Sequence, residues 1–173
     1  MRKVTYGAAC SLDGYIARPD GGVEWLQWSD DVQRLTAAYW TRVDTVLLGR
    51  KTYEAARALG SGAYPGVTNY VFSRTLRESP EPGVRLVRDN AVELVAHLKR
   101  QPGGEICVMG GGEIAQTLLE AGLVDEVGVN IQPVLLGAGV PLFKELPHII
   151  QLELIQTETL AGGCVYALYS IKH

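Results

Sequence analysis

Short apolar runs alternate with amphipathic stretches along this chain. The apolar runs "KVTYGAACS" (3–11), "DTVLLG" (44–49), "TNYVFSR" (68–74), "VRLVRD" (84–89) and "EICVMG" (105–110) read as strands. Each is short and bounded by turn residues, as a buried strand is. Between them apolar residues return at helical spacing. In "SDDVQRLTAAYWTRV" (29–43), Val32, Leu35, Ala38 and Tyr39 form one stripe, with Ser29 or Asp30 as cap. "RKTYEAARALG" (50–60) predicts a short helix closed by Gly60, and "AVELVAHLKR" (91–100) one ended by Gln101-Pro102-Gly103. A fourth helix is expected over "GEIAQTLLEAG" (112–122). "LDGYIARPDGGVEWL" (12–26) and "AGVPLF" (138–143) read as loops, the first by its Asp-Gly, Pro-Asp and Gly-Gly pairs. "VDEVGVNIQPVLLG" (124–137) is strand-like. "IQLELIQTETLAGGCVYALYSIKH" (150–173) predicts two long strands joined at Gly162-Gly163.

Strands alternating with helices require crossover connections, and hence a mainly parallel sheet. The expected fold is a single domain over 1–173, a three-layer α/β sandwich with an antiparallel C-terminal hairpin. A chain of 173 residues can bury a real core. Its net charge of −3 argues against a nucleic-acid protein. No apolar run reaches the ~18 residues of a membrane helix, and no signal peptide is read at the N-terminus. Cys10, Cys107 and Cys164 are widely spaced in apolar stretches, so buried free thiols in a reducing cytoplasm are expected. They and the scattered histidines His97, His148 and His173 lack metal-ligand spacing, so no metal site is expected.

Candidate chemistry gathers at three strand ends: "LLGRKTYE" (47–54), "YVFSRT" (70–75) and "VMGGGE" (108–113). Ligands bind at the carboxyl ends of parallel strands. Two of these segments also start helices, whose N-termini favour anions. Arg50, Lys51 and Arg74 bring cations; Thr52 and Ser73 bring hydroxyls. Together they suit a phosphate-rich ligand, although any one alone reads as an ordinary cap, and the glycine run alone as a tight turn. The run is neither a dinucleotide fingerprint, which follows the first strand, nor a P-loop, since no G-K-[ST] follows.

These segments resemble the dihydrofolate reductase superfamily. With "SLDGYIA" (11–17), "VMGGGEIAQTLLEAGLVDE" (108–126) and "PVLLGAGVPLF" (133–143), the chain looks closest to the reductase domain of the bifunctional riboflavin-biosynthesis enzyme and its free-standing relatives. The resemblance implies an NADPH-dependent reductase acting on 5-amino-6-(5-phosphoribosylamino)uracil. It implies a cis bond joining Gly110 and Gly111, with Gly111, Gly112, Glu113 and Ile114 approaching the cofactor pyrophosphate. Gly49, Arg50, Lys51 and Thr52 match the helix start that holds cofactor phosphates, and Ser73 and Arg74 the strand end beside the 2′-phosphate. Ala9 and Ile16 match residues along the nicotinamide, and "ARPDGGVEWL" (17–26) the mobile loop over it.

For the substrate, Asn130 stands where the strand after the glycine helix faces it. Asp13 and Glu24 are the candidate proton-relay carboxylates, Asp13 reading equally as an Asp-Gly turn residue. Two departures count against dihydrofolate: Gln33 and Arg34 stand where a pterin-binding carboxylate belongs, and Ala115 where an aromatic residue flanks the nicotinamide. The H-x-E and P-C-x-x-C signature of the fused zinc deaminase is absent from this sequence. A pterin reductase, or a nucleotide-binding paralogue without turnover, stays open beside the leading reading. A homodimer is expected, because "CVYALYSI" (164–171) reads as an edge strand apolar on both faces, and because the riboflavin-type relatives pair through this part of the sheet.

Overall fold

Eight strands hydrogen-bond into one sheet in the order β5-β4-β3-β6-β1-β7-β10-β9. The computed structural model describes residues 1–60, 62–78 and 81–172; His173, at the end of the predicted hairpin, lies outside them. The strands are β1 (Val4–Ser11), β2 (Tyr15–Ala17), β3 (Val43–Gly49), β4 (Thr68–Phe72), β5 (Val84–Val87), β6 (Glu105–Gly110), β7 (Glu126–Gln132), β8 (Val140–Pro141), β9 (Leu152–Thr159) and β10 (Val165–Ile171). The helices are α1 (Asp30–Trp40), α2 (Arg50–Ala58), α3 (Ala91–Arg100) and α4 (Gly112–Glu120), with a 3-10 turn over Ala161–Gly163. Strands β1, β3, β4, β5, β6 and β7 are mutually parallel, and β10 and β9 run antiparallel to their neighbours. This is the three-layer sandwich that the pattern predicts.

The parallel strands read as near-continuous apolar runs because helices cover both sides. Val4, Tyr6, Cys10, Leu47, Ile106 and Val108 pack with Val95 of α3 and Leu118 of α4 on one side. Val46, Leu48, Val71 and Cys107 pack with Tyr53 of α2 and Tyr39 of α1 on the other. Burial of this kind is worth roughly 1.5–3 kcal/mol per large apolar side chain. Ser29 caps α1 by accepting from the Val32 amide. All three cysteines are free and buried.

Several expectations are corrected. The stretches read as loops at 12–26 and 138–143 contain β2 and β8, which pair with each other. Short-range pattern misses them because the pairing joins segments far apart in sequence. The strand expected over 124–137 ends at Gln132, where Pro133 has no N–H to extend the ladder. The expected edge strand is not an edge. Strand β10 lies between β7 and β9, and β9 is the edge. Among the described residues, no helix is long and apolar enough to cross a membrane.

Candidate cofactor and substrate site

Strands β3 and β6 end side by side, and each runs directly into a helix. Gly49 precedes α2 and Gly111 precedes α4, and neither helix start has a side-chain cap. The first-turn amides of both helices are therefore open toward one place. The two glycines pack against each other: a Cβ built on Gly111 would stand 2.7 Å from the Gly49 Cα, and one on Gly49 would stand 2.8 Å from the Gly111 Cα. A Cβ on Gly110 would stand 2.9 Å from the Thr52 hydroxyl. Gly110 and Gly111 also have φ of +154° and +101°, which L side chains rarely adopt. Gly111 is thus required by close backbone approach, and Gly110 by its φ and the Thr52 side chain. The cis Gly110–Gly111 bond expected from the resemblance is not found, since no cis peptide occurs among the described residues. Two successive left-handed glycines make the turn instead.

Cations surround this cradle. Arg50 bonds Glu54 at 2.8 Å, one turn along α2. Lys51 and Arg74 are exposed, and neither makes an ion pair among the described residues. The Ser73 hydroxyl accepts from the amides of Thr75 at 3.2 Å and Leu76 at 3.0 Å, which shapes the turn that presents Arg74. Sequence reasoning missed Lys144. Its methylene chain lies over Gly112, within 3.2 Å of where a Cβ would be, and its Nζ is 3.6 Å from Glu113. Nothing in the sequence pattern marks it, because it comes from beyond β8. Ile114 is buried in the main core, where Ile16 packs against the same cluster.

A second set of residues lies on the side of the sheet covered by α1. Thr5, Gly7, Ala9 and Ser11 of β1 stand in register with Glu126, Gly128, Asn130 and Gln132 of β7. In-register residues of neighbouring strands share a face. Polar and small residues alternate here with the apolar Val127, Val129 and Ile131, so this face is legible in the sequence. Gln132 is fully buried. Its carboxamide oxygen accepts from the Gln27 amide at 2.9 Å and the Cys164 thiol at 3.4 Å, fastening the loop before α1 to the sheet. Thr5 Oγ1, Tyr39 OH, Glu105 Oε2, Asn130 Oδ1 and Gln132 Nε2 are buried without a hydrogen-bond partner. The Tyr39 hydroxyl lies among Cys107, Thr5 and Glu105, and burial raises its pKa. Native proteins leave few such atoms, and here they line one face.

The candidate carboxylates have other engagements. Asp13 accepts from the amides of Leu136 at 3.1 Å and Gly137 at 2.8 Å, binding the loop after β1 to the loop after β7. The Ser11 hydroxyl first, then these amides, hold its carboxyl below the ordinary value. Glu24 pairs with Arg18 at 2.7 Å. Asp31 accepts from the Ala161 amide at 3.0 Å, tying the start of α1 to the turn between β9 and β10. Gln33 is exposed and Arg34 pairs with Glu158, so α1 turns no carboxylate toward the sheet. An open hollow of about 480 Å³ between Arg2, Asp44, Thr68 and Tyr70 lies at the opposite, amino end of the strands. Its cation, Arg2, is already paired with Asp44.

A parallel sheet with paired helix starts at its carboxyl edge, and an antiparallel C-terminal pair, is the dihydrofolate-reductase-like fold. Dihydrofolate reductase from Enterococcus faecalis, solved with NADP(H), superposes with a TM-score of 0.72 at 18% identity over 99% of this chain and 97% of its own. Residues 2–166 match the RibD C-terminal domain, and the chain belongs to that family. A Shewanella sp. PV-4 protein provisionally assigned to riboflavin biosynthesis superposes with a TM-score of 0.87 at 30% identity, covering 99% of both chains. The deaminase/5-amino-6-(5-phosphoribosylamino)uracil reductase of Thermotoga maritima gives 0.74 at 17% identity, with 57% of its chain covered. The uncharacterised Bacillus subtilis proteins YyaP and YwjB are 32% and 34% identical over 98% and 91% of this chain and 95% and 91% of their own.

Proposed function

We propose that this protein is an NADPH-dependent reductase of the riboflavin type, whose reference reaction turns the ribosyl group of 5-amino-6-(5-phosphoribosylamino)uracil into ribityl. The observation that carries the reading is the Gly49–Gly111 contact, which leaves two uncapped helix starts open beside Lys51, Arg74 and Lys144. Such a place suits a diphosphate, and a Cβ on either glycine would fill it. NADPH, when bound, supplies the hydride. The amides of Lys51, Thr52, Gly112, Glu113 and Ile114 would hold its diphosphate, and Arg74 its 2′-phosphate, for which a guanidinium fork is well shaped. Arg50 reaches the same anion by leaving Glu54. Ala9 and Ile16 would flank the nicotinamide, and Asn130 would face the substrate.

The reduction adds a hydride at the imine carbon and a proton at its nitrogen. The chain's main task is to hold donor and acceptor in contact and to exclude water. Asp13 is engaged by two amides and Glu24 by Arg18, so we assign them to positioning the loops around the site. The three buried free thiols suit a reducing cytoplasm. Titration with NADPH and NADH, followed by nicotinamide fluorescence, tests the cofactor; equal affinities would sink this reading. NADPH oxidation with the ribosylaminouracil phosphate and with dihydrofolate tests the reaction. Turnover is expected with the first. Tight NADPH binding without turnover of either identifies a nucleotide-binding paralogue instead.

A further inference from the structure

Glu113 is a carboxylate standing where the reductase reading puts a diphosphate. It lies in the first turn of α4, directly after the glycine joint, and its side chain is 85% exposed. A negative charge there suits the free amides of a helix start, and it repels a second anion arriving at the same amides. Its partner is Lys144, with Nζ 3.6 Å from the Glu113 carboxylate. An exposed pair at that separation contributes little and is readily broken.

Lys144 itself is held in place. Its Cγ, Cδ and Cε all lie 3.2–3.5 Å from where a Gly112 Cβ would be, so the side chain runs across the helix start. The backbone on either side of it is tied down. The Leu142 amide donates to the Gly14 carbonyl at 2.9 Å, and the Leu142 carbonyl accepts from the Tyr6 hydroxyl. The Phe143 ring sits edge-on to the Tyr6 ring at 5.6 Å. Gln116 of α4 donates to the Glu145 carbonyl at 2.8 Å. Ties to β1 before it and to α4 after it fix the Lys144 backbone and leave its ammonium end to turn.

We propose that Lys144 is a ligand of the cofactor diphosphate, and that Glu113 is the anion it holds until then. Lys144 leaves Glu113 and donates to a diphosphate oxygen, while the Glu113 carboxylate turns to solvent, as its exposure permits. This rests on the reductase reading above and gives that site a cation from beyond β8, outside both helix starts. Cofactor affinity is then set by two anions competing for one ammonium group. The task differs from that of Arg74, which faces the 2′-phosphate. A diphosphate is common to NADPH and NADH, so Lys144 serves both alike.

Nicotinamide fluorescence titrations of the full chain with NADPH and with NADH, at low and at high salt, test this. Lys144→Met keeps the chain that covers Gly112 and removes the charge. It should weaken both cofactors by the same factor, about tenfold, the low end of a charged hydrogen bond, and make binding less sensitive to salt. Lys144→Arg should restore most of the affinity. Glu113→Gln should act in the opposite direction and tighten both cofactors. Both side chains are exposed, so denaturant melts of the variants should match the parent. Unchanged affinity in Lys144→Met, a loss confined to NADPH, or weaker binding in Glu113→Gln overturns the proposal; the last result would show a pair that only braces the helix start. If the parent protein binds neither cofactor, the reductase reading falls and this proposal with it. Parent binding together with an unchanged Lys144→Met strikes this proposal alone.

Discussion

Arg74 is a guanidinium held out by a turn and left without a partner among the described residues. Its strand-end position and its charge were legible in "YVFSRT". The turn that presents it was not, because Ser73 bonds the backbone through its side chain. Arg74→Ala is expected to cost ~1–3 kcal/mol of NADPH affinity, the scale of a charged hydrogen bond, and to leave NADH nearly unchanged; fluorescence titration of both cofactors measures it. Asp13 shows the opposite case. The Asp-Gly pair was visible, but its partners, Leu136 and Gly137, lie across the molecule. Its folded pKa is lowered, so the tie is present above the ordinary carboxylate pKa and is lost as pH falls through the folded value. Amide exchange at Leu136 and Gly137 should therefore speed up in acid. Asp13→Ala should reproduce that at neutral pH while reductase turnover persists. Complete loss of turnover with unchanged exchange would return Asp13 to the role of proton donor.

At the scale of elements, the joints β3–α2 and β6–α4 behave as one object. The strand, the glycines and the helix of each joint were readable in order. That the two joints touch at Gly49 and Gly111 follows only from β3 and β6 being neighbours. Gly111→Ala sets a Cβ at 2.7 Å from backbone at a φ of +101°. It should lower stability by about 1–2 kcal/mol through the backbone alone and weaken NADPH at least tenfold. Gly112→Ala is the control. Its Cβ meets only the flexible Lys144 chain, at 3.2–3.5 Å, so its stability should stay within ~1 kcal/mol of the parent. Denaturant melts and NADPH titrations of the pair check both. Equal effects of the two substitutions would show that backbone contact is not what the joint depends on.

Over the whole molecule, the sheet has one conspicuous edge. Strand β9 is exposed along nearly its full length, with Leu152 at 41%, Leu154 at 52% and Ile155 at 51% exposure. A long edge with exposed apolar side chains on both faces invites pairing. We therefore propose a homodimer formed through β9, in place of β10, which has neighbours on both sides. Sedimentation at micromolar protein is expected to give a species of twice the chain mass, and Leu154→Lys should shift it to that of a single chain. A parent protein already at single-chain mass would rule the dimer out.

Local pattern by itself determined the order and type of the main elements, the parallel sheet, the buried thiols and the cations at the strand ends. Periodicity, caps and turn residues act over a few positions, and so are written in neighbouring residues. Tertiary structure decided what depends on which strands lie side by side. It made β10 an inner strand, paired β2 with β8, brought Lys144 over Gly112, and set Tyr166 beside Asn130. It also packed Gly49 against Gly111. These contacts join residues far apart in the chain, and their energies are settled by packing and register, which no short stretch of sequence contains.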